Sequence, residues 1–296
     1  MNNRYLIPIK YGRKQYPNNI TPKIQEIAGH FDIEVIQPTI SYSLHTEYSY
    51  GKRNLTSNLI RNGQFQNIVS SQKNGVPKLW FNKKWSYEFS DFIKALVSTN
   101  EPPKIIEIHP PFNDYCNSME IFVETYKIFE DRILKIFPET EILIENRCGT
   151  IYSGGKFLLS SNDDIVELSK LISESKLKLR VVLDLPQLFT EHAVSSSLSK
   201  VLIKDILNPI KDCKDFIAGI HIWGKRRNEN GRLVAHQGDL NTYFNNDMNL
   251  KTTFLTEIYN LLDDAKPRYF VPEVNSTNED LNSIVNDFQK AGFKFI

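Results

Sequence analysis

Short apolar segments alternate with amphipathic helical patterns along the whole chain, and this alternation limits the fold more than any other feature. Seven segments have the length and residue types of β-strands: Tyr5–Ile9, Asp32–Ile36, Lys104–Ile108, Glu141–Ile144, Arg180–Leu183, Ile217–Ile222 and Arg268–Val271. An eighth strand is expected near Gln66–Ser70 or Lys78–Phe81. Nearly continuous apolar strands are typical of a parallel sheet that helices cover on both faces. About eight strand–helix units predict an α/β protein, a closed (β/α)8 TIM barrel.

The predicted helices lie between these strands. Thr21-Pro22 places a capping residue before proline, which is a common helix start, and Phe89 to Val97 carries an apolar stripe with helical spacing. No G-x-G-x-x-G follows the first strand, which argues against an open dinucleotide-binding sheet. We therefore expect one domain over residues 1–296, with a possible loop insertion at about residues 41–100.

Charge and cysteine content give no sign of a membrane or secreted protein. The net charge is +1, from 36 Lys and Arg against 35 Asp and Glu, so any basic binding surface must be local. The three cysteines are far apart and form no C-x-x-C pair, which favours reduced thiols. No apolar run reaches the ~18 residues of a membrane span, and no signal peptide is apparent. These features predict a cytoplasmic protein.

Residues of the metal-ligand type stand at or just after the ends of five predicted strands. They are His109, Glu145, Asp184, His221 and Glu273. One such residue alone is more often a hydrogen-bonded structural group or a helix cap, but barrels build their chemistry at the carboxyl ends of the strands. Carboxylates gathered without a cation would repel one another. We expect one or two divalent ions, Zn2+, Mn2+, Mg2+ or Fe2+.

From about Ile105 to the C-terminus the chain resembles the xylose-isomerase-like TIM barrels. That superfamily contains sugar isomerases and epimerases and also apurinic/apyrimidinic endonucleases of the endonuclease IV type. The resemblance rests on His109-Pro110, on the segment Glu145-Asn146-Arg147-Cys148-Gly149 with the later Gly154-Gly155-Lys156-Phe157, and on the segment from Asn230 to His236. The segment from His236 to Asn241 instead resembles a turn of the isomerases.

The resemblance implies roles for individual residues. Glu145, Asp184, His221 and Glu273 correspond to the ligand set common to both branches, and His236 to a further ligand. Gln187 and Val234 replace a histidine and an aspartate of the three-metal endonucleases, so the third metal site is expected to be missing. His45 could be an additional ligand, but the favoured interpretation is a surface or loop histidine.

Basic and aromatic residues cluster in the loops after the predicted strands. The basic ones are Arg13, Lys14, Lys52, Arg53, Lys83, Lys84, Arg147, Lys225, Arg226 and Arg227, and the aromatic ones are Tyr11, Tyr48, Tyr50, Trp80, Trp85 and Trp223. At the rim of a barrel they would attract phosphates and stack on bases or sugar rings. The alternative is that the cations are ordinary loop residues and the aromatic rings pack beneath the loops.

Two reactions are compatible with these residues. In a metal-dependent phosphodiester hydrolase acting on nucleic acid, Glu145 would ligate or bridge the metals, Asp184, His221 and Glu273 would complete one site, and His109 with His236 would serve a second metal or the substrate. Arg147, Lys225, Arg226 and Arg227 would bind the substrate. In a sugar or sugar-phosphate isomerase or epimerase, Glu145 and Glu273 would move a proton, and Gln187 and His236 would hold hydroxyl groups. An iron-dependent oxidative enzyme and a metal-binding protein without turnover are more remote alternatives.

Overall fold

The computed structural model describes residues 3–49, 51–55, 57–61, 63–97, 101–149, 155–192 and 198–296. Tyr50, an expected stacking residue, and Gly154, part of the loop motif after Glu145, lie outside the described residues. The strands are β1 Arg4–Lys10, β2 Ile24–Gly29, β3 Ser41–Thr46, β4 Gln72–Lys73, β5 Val76–Pro77, β6 Ile105–Ile108, β7 Glu141–Glu145, β8 Arg180–Asp184, β9 Ile217–Ile222, β10 Lys225–Arg227, β11 Leu233–Ala235, β12 Arg268–Pro272 and β13 Phe293–Phe295.

Helices lie in the connections that follow β3, β6, β7, β8, β9 and β12 of the main sheet. They are α1 Asn58–Arg61, α2 Gln66–Ser70, α3 Lys83–Leu96, α4 Met119–Ile136, α5 Asn162–Ser175, α6 Leu185–His192, α7 Lys200–Leu207, α8 Leu240–Tyr243, α9 Met248–Leu261 and α10 Asn278–Lys290, with a 3-10 helix over Pro209–Phe216. Within the described ranges, none of these helices combines the length and the apolar character that crossing a membrane requires.

The main sheet closes on itself, which confirms the predicted (β/α)8 barrel. Its strand order is β12-β9-β8-β7-β6-β3-β2-β1-β13, and β12 also pairs with β1. In the described part of the chain, eight strands therefore form the ring, and β13 adds to the first half of β1 through the parallel pair Arg4↔Phe293. Parallel pairing recurs around the ring, as in Leu6↔Arg268 between β1 and β12.

Two of the ring strands differ from those predicted. The predicted strand Asp32–Ile36 has no regular structure, and the ring uses β2 and β3 instead. The prediction of a helix starting at Thr21-Pro22 is wrong, because Ile24 pairs with Ile9 of β1 in a parallel sheet. Pairing between the strands outweighs the local signal for a helix start. Neither candidate for the eighth strand is a strand, since Gln66–Ser70 forms α2 and Lys78–Phe81 forms none.

Residues 41–100, where a loop insertion was considered, supply a barrel strand and a long helix. The segment begins with β3 and ends close after α3, which packs a strip of apolar residues inward. Between them lie α1, α2 and the antiparallel pair β4 and β5, joined by Gln72↔Pro77. A substrate-covering role for this middle part stays a prediction.

By their internal contacts, the residues fall into two compact units. The first unit is Met1–Gln25 with Val182–Ile296, and the second unit is Glu26–Val181. The core of the first unit contains Phe270, whose ring lies 5.0 Å from that of Phe288. All three cysteines are buried free thiols. A single domain over the whole chain stays a prediction.

The core of the second unit is rich in aromatic rings. It contains two tryptophans that were expected to stack on substrate. Trp80 and Trp85 are 1% and 0% exposed. Their rings lie 5.2 Å apart, and both pack on Phe89. The Trp80 indole N–H also donates to the His109 carbonyl at 2.7 Å. Both side chains therefore belong to the core, and stacking on a base is excluded for them.

Candidate metal centre

The second unit brings four potential metal ligands together at the carboxyl ends of neighbouring strands. These are His45 of β3, Glu107 of β6, His109 directly after β6, and Glu145 at the end of β7; one ligand atom of each lies within 4.8 Å of the others. Parallel pairing places His45 beside Glu107 on adjacent strands. Glu107, His109 and Glu145 are buried, and the His45 side chain is 12% exposed. The site is thus built by three consecutive strands of the sheet.

Both ring nitrogens of His109 face hydrogen-bond acceptors, an arrangement that favours a cation at this position. Its Nδ1 lies 3.1 Å from the Glu47 carbonyl oxygen, and its Nε2 lies 2.9 Å from Glu145 Oε2. Both neighbours are acceptors, so the ring satisfies them only if it is doubly protonated or if a cation lies between Nε2 and the carboxylate. Burial lowers the pKa of His109 despite its hydrogen bond to Glu145. A neutral imidazole with Nδ1–H held by a carbonyl is the usual arrangement of a metal-ligating histidine.

His45 is surrounded by carboxylates, which also favour a positive charge at this position. Its Nδ1 lies 3.1 Å from Glu26 Oε1 and 3.7 Å from Glu107 Oε1, and its Nε2 lies 3.8 Å from Glu145 Oε2. Burial by itself would lower the pKa of His45, but these three carboxylates together raise it from 6.5 to about 10. Two imidazoles with two carboxylates fit Zn2+, Mn2+ or Fe2+, and fit Mg2+ less well. The residues present therefore fit a divalent ion.

Arg147 adds a fixed positive charge beside the cluster. Its Nη1 donates to Glu145 Oε1 at 3.0 Å, while the other oxygen of Glu145 faces His109. The guanidinium carbon also lies 5.4 Å from the centre of the Tyr48 ring. Arg147 was predicted to bind substrate, and the structure places it on a candidate ligand, where it orients the carboxylate.

The first unit holds a second group of predicted ligands. His221 of β9 and Glu273, which directly follows β12, lie on neighbouring strands, and His221 Nδ1 is 3.2 Å from Glu273 Oε1. His236 Nδ1 lies 3.1 Å from the Glu273 carbonyl oxygen and 3.4 Å from its Oε2. His221 is fully buried, whereas the His236 side chain is 29% exposed. His236 is thus the member of this group that an incoming molecule reaches most easily.

Asp184, at the end of β8, is held by N–H donors in the same unit. Its Oδ1 accepts from the Gln187 backbone N–H at 3.0 Å, and its Oδ2 accepts from Gln187 Nε2 at 2.6 Å and from the Trp223 indole at 3.0 Å. The Trp223 ring also stacks on His236 with centroids 4.4 Å apart. Gln187 was predicted to bind substrate, and its side-chain amide N–H donates to Asp184. Val234 lies in β11, and the loss of a third metal site stays a prediction.

The cationic run after His221 forms strand β10 and not a loop. Arg226 Nη2 is 2.8 Å from Asp280 Oδ1, so its charge is already paired. Lys225 Nζ donates to Thr190 Oγ1 at 3.1 Å. Arg227 is exposed and donates to the Gly231 carbonyl at 2.7 Å. The three neighbouring cations consequently have three different environments.

Sequence reasoning missed half of the cluster in the second unit. His45 was taken for a surface or loop histidine, which is wrong, because the polar strand β3 was not recognised as a strand. Glu107 was passed over inside the apolar run IIEI. A charged residue that interrupts a fully buried strand was the available signal, since such a residue needs a partner or an ion.

No protein-family model matches the sequence, and no curated protein matches it. Similar solved structures include 3-keto-D-glucoside 4-epimerase from E. coli, with 9% identity over 97% of this chain and 98% of that chain (TM-score 0.48). They also include an AP endonuclease of family 2 from Brucella melitensis, with 11% identity over 97% and 99% (TM-score 0.48). A xylose isomerase domain protein from Planctomyces limnophilus has 12% identity over 84% and 76% (TM-score 0.42). At these identities the likeness concerns the fold and assigns no activity to this chain.

Proposed function

We propose that this protein is a divalent-metal-dependent phosphodiester hydrolase that acts on nucleic acid. The observation that carries the proposal is the buried group of His45, Glu107, His109 and Glu145, whose ligand atoms lie within 4.8 Å of one another. Its position at the carboxyl ends of barrel strands is where such folds place their chemistry. Asp184, His221 and Glu273 of the first unit would hold a second ion.

The side chains around the ligands have defined tasks in this proposal. A bound divalent ion would lower the pKa of a water molecule towards ~7 and polarise a phosphoryl group. The Glu47 carbonyl orients His109, and Arg147 orients Glu145. His236 is half-buried with Nδ1 held at the Glu273 carbonyl, which leaves its Nε2 to contact a phosphate oxygen or to move a proton.

The test combines metal analysis with cleavage assays. The purified protein is analysed for bound metals and incubated with abasic DNA, undamaged DNA and RNA, with and without EDTA. Cleavage that EDTA abolishes is expected. Glu145→Gln should lose metal and cleavage together, whereas Glu141→Gln on the same strand, where Glu141 pairs with Arg180, should keep both. If none of these polymers is cut in a chelator-sensitive manner, the hydrolase proposal fails.

A sugar or sugar-phosphate isomerase or epimerase is the second candidate. It is favoured because several arginines near the strand ends are paired with carboxylates. Arg53 pairs with Glu47, Arg147 with Glu145 and Arg226 with Asp280, so three expected phosphate contacts are already neutralised. In this reaction a buried carboxylate such as Glu145 would move a proton between carbons. Incorporation of solvent deuterium at a sugar carbon would establish it.

We further propose that the protein is located in the cytoplasm. Cys116, Cys148 and Cys213 are all buried free thiols. Free thiols in this number are typical of reducing compartments, where nucleic acid and phosphorylated sugars are both found. Fractionation of cells that produce the protein would test the location.

A further inference from the structure

Positive charge is concentrated in residues 48–87 of the second unit. This segment contains seven Lys and Arg residues and no Asp or Glu, although the net charge of the whole chain is only +1. The rest of the chain is therefore net acidic. An uneven distribution of this kind is typical of a local surface for an anionic partner.

Two of these cations have carboxylate partners. Arg53 pairs with Glu47 at 2.8 Å, and Lys73 pairs with Asp114 at 2.6 Å. Three others have no carboxylate within salt-bridge distance in the ranges that the structure describes; they are Lys78, Lys83 and Lys84. These three lie close together in the chain, between the end of β5 and the first turn of α3.

An aromatic side chain in the same stretch points to solvent directly after a strained residue. Trp80 has a φ of 59°, a left-handed conformation that bulky residues rarely adopt. Its ring is buried, and its indole N–H donates to the carbonyl of His109, a candidate metal ligand. The next side chain, Phe81, is 43% exposed. Backbone strain of this kind persists only where the surrounding structure enforces it, and it clusters at functional positions.

Lys78 holds its ammonium group beside two aromatic rings at this surface. Its Nζ lies 5.0 Å from the centre of the Phe81 ring and 5.6 Å from that of Tyr115. The two rings meet edge to face with centroids 6.1 Å apart. The Tyr115 hydroxyl accepts from the backbone N–H of Phe112 at 3.3 Å, which fixes its ring. Uncharged rings orient the Lys78 cation without neutralising its charge.

Lys83 and Lys84 extend the positive charge from Phe81 onto the first turn of α3. Both are exposed, and they follow Phe81 by two and three residues. Glu88 follows Lys84 by four residues, which is a spacing for a helical ion pair. Its two oxygens instead accept from the backbone and side-chain N–H groups of Asn67. Both lysines therefore keep their charge for an external anion.

We propose that four residues, the Phe81 surface, bind a single-stranded nucleic acid next to the candidate metal centre; they are Lys78, Phe81, Lys83 and Lys84. The Phe81 ring would stack on an unpaired base, and the three cations would contact the flanking phosphates. An exposed ring among cations suits a strand with accessible bases better than a duplex, whose bases are stacked on one another. The inference rests on the proposed function and names the form of the polymer and the surface that holds it.

The charge contacts are measured by fluorescence anisotropy of short phosphorothioate strands, which resist hydrolysis, with the metal-loaded protein over a series of KCl concentrations. For Lys83→Gln, the slope of log K against log [KCl] should fall in magnitude by about 0.7, because one contact to a single strand is lost. Adding Lys84→Gln should remove about 0.7 more. Lys200→Gln is the matched control, since Lys200 is likewise the exposed first residue of a helix. It should keep the wild-type slope.

The stacking contact is tested with Phe81→Leu, which keeps an apolar side chain but removes the flat ring. Affinity for single-stranded DNA and RNA should fall by about 10-fold with an unchanged slope. Tyr87→Leu is the control, because Tyr87 is also exposed but its ring is already covered by Arg132 at 3.5 Å. Irradiation of a bound strand that contains 5-iodouracil should couple the base to Phe81, as mass spectrometry of the peptides would show.

The outcomes separate this inference from the proposed function. If single strands bind but Lys83→Gln and Lys200→Gln have equal slopes, or if Phe81→Leu and Tyr87→Leu have equal affinities, the Phe81 surface is overturned while the proposed function stands. Tighter binding of a duplex than of a single strand, or equal displacement of the strand by poly-glutamate, overturns the stacking contact. If the wild type binds no nucleic acid at all, the nucleic acid substrate of the proposed function is overturned as well.

Discussion

At the scale of single residues, the ligand group of each unit is defined by what surrounds its ligands. Nδ1 of His109 is held by a carbonyl oxygen, and Asp184 is held by Gln187 and Trp223. Such partners fix the orientation of a ligand and its protonation state, and removing one typically costs 10- to 100-fold in metal affinity. The hydrogen-bond partners of a metal ligand can therefore be tested by substitution in the same way as the ligand itself.

Trp223→Phe tests the indole N–H. The variant loses the 3.0 Å bond to Asp184 Oδ2 but keeps a ring that can stack on His236. We expect metal affinity to fall by about 10-fold and stability by about 1 kcal/mol. Competition with a chelating dye measures the first and urea unfolding the second. Tyr243→Phe is the control, and an affinity equal to that of the wild type would contradict the role.

The raised pKa of His45 predicts how the metal-free protein responds to pH. Because three carboxylates raise this pKa from 6.5 to about 10, the protonated imidazole contributes stability that is complete below pH 6.5 and is lost as the pH rises towards 10. The free energy of unfolding in EDTA should fall over this range, and it should fall less in His45→Gln. Urea titrations at several pH values measure the difference. Parallel pH curves for the two proteins would be inconsistent with the prediction.

At the scale of elements, close backbone approach determines where the β10–β11 hairpin starts. Gly224 joins β9 to β10, and a Cβ there would lie 2.5 Å from the Asp239 carbonyl oxygen, at the start of α8. The three nearest atoms all belong to the Gly238–Asp239 backbone, so no flexible side-chain end can move aside. The absence of a side chain at Gly224 is therefore required by packing and not by an unusual φ angle.

Gly224→Ala should destabilise the protein by about 1–3 kcal/mol, because the added methyl group forces the backbone apart. Gly51→Ala is the control, since a Cβ at Gly51 would meet no atom within 4 Å. Thermal and urea unfolding of both variants measure the effect. Equal stability of the two alanine variants would show that the junction can relax.

At the scale of the whole molecule, a bound ion should stabilise the fold. A ligand at 100 times its Kd contributes about 2.7 kcal/mol, and for a chain of this size that corresponds to roughly 5–10 °C in Tm. EDTA should lower the Tm of the wild type accordingly, and added Zn2+ or Mn2+ should restore it. Glu107→Gln, which removes a carboxylate of the cluster, should show little shift. An EDTA-insensitive Tm for metal-loaded wild type would speak against tight binding.

Apart from β1, the strands that were predicted correctly are almost entirely buried. Ile105–Ile108 and Ile217–Ile222 are fully buried, so their apolar residues are visible as continuous runs. β3, in contrast, carries polar residues on alternate positions, and its Ser43 and His45 were read as a loop. Half-polar strands such as this one lack the hydrophobic pattern on which the prediction relies.

The sequence by itself determined the parallel barrel and the ligand-type residues at the strand ends, because strand–helix alternation and position along a strand are local properties. Only the tertiary structure decided that His45 and Glu107 join His109 and Glu145, since that depends on which strands become neighbours. It also decided that Arg226 pairs with Asp280 while Arg227 faces solvent. Charge neutralisation depends on distances between residues far apart in the chain, and no local pattern contains those distances.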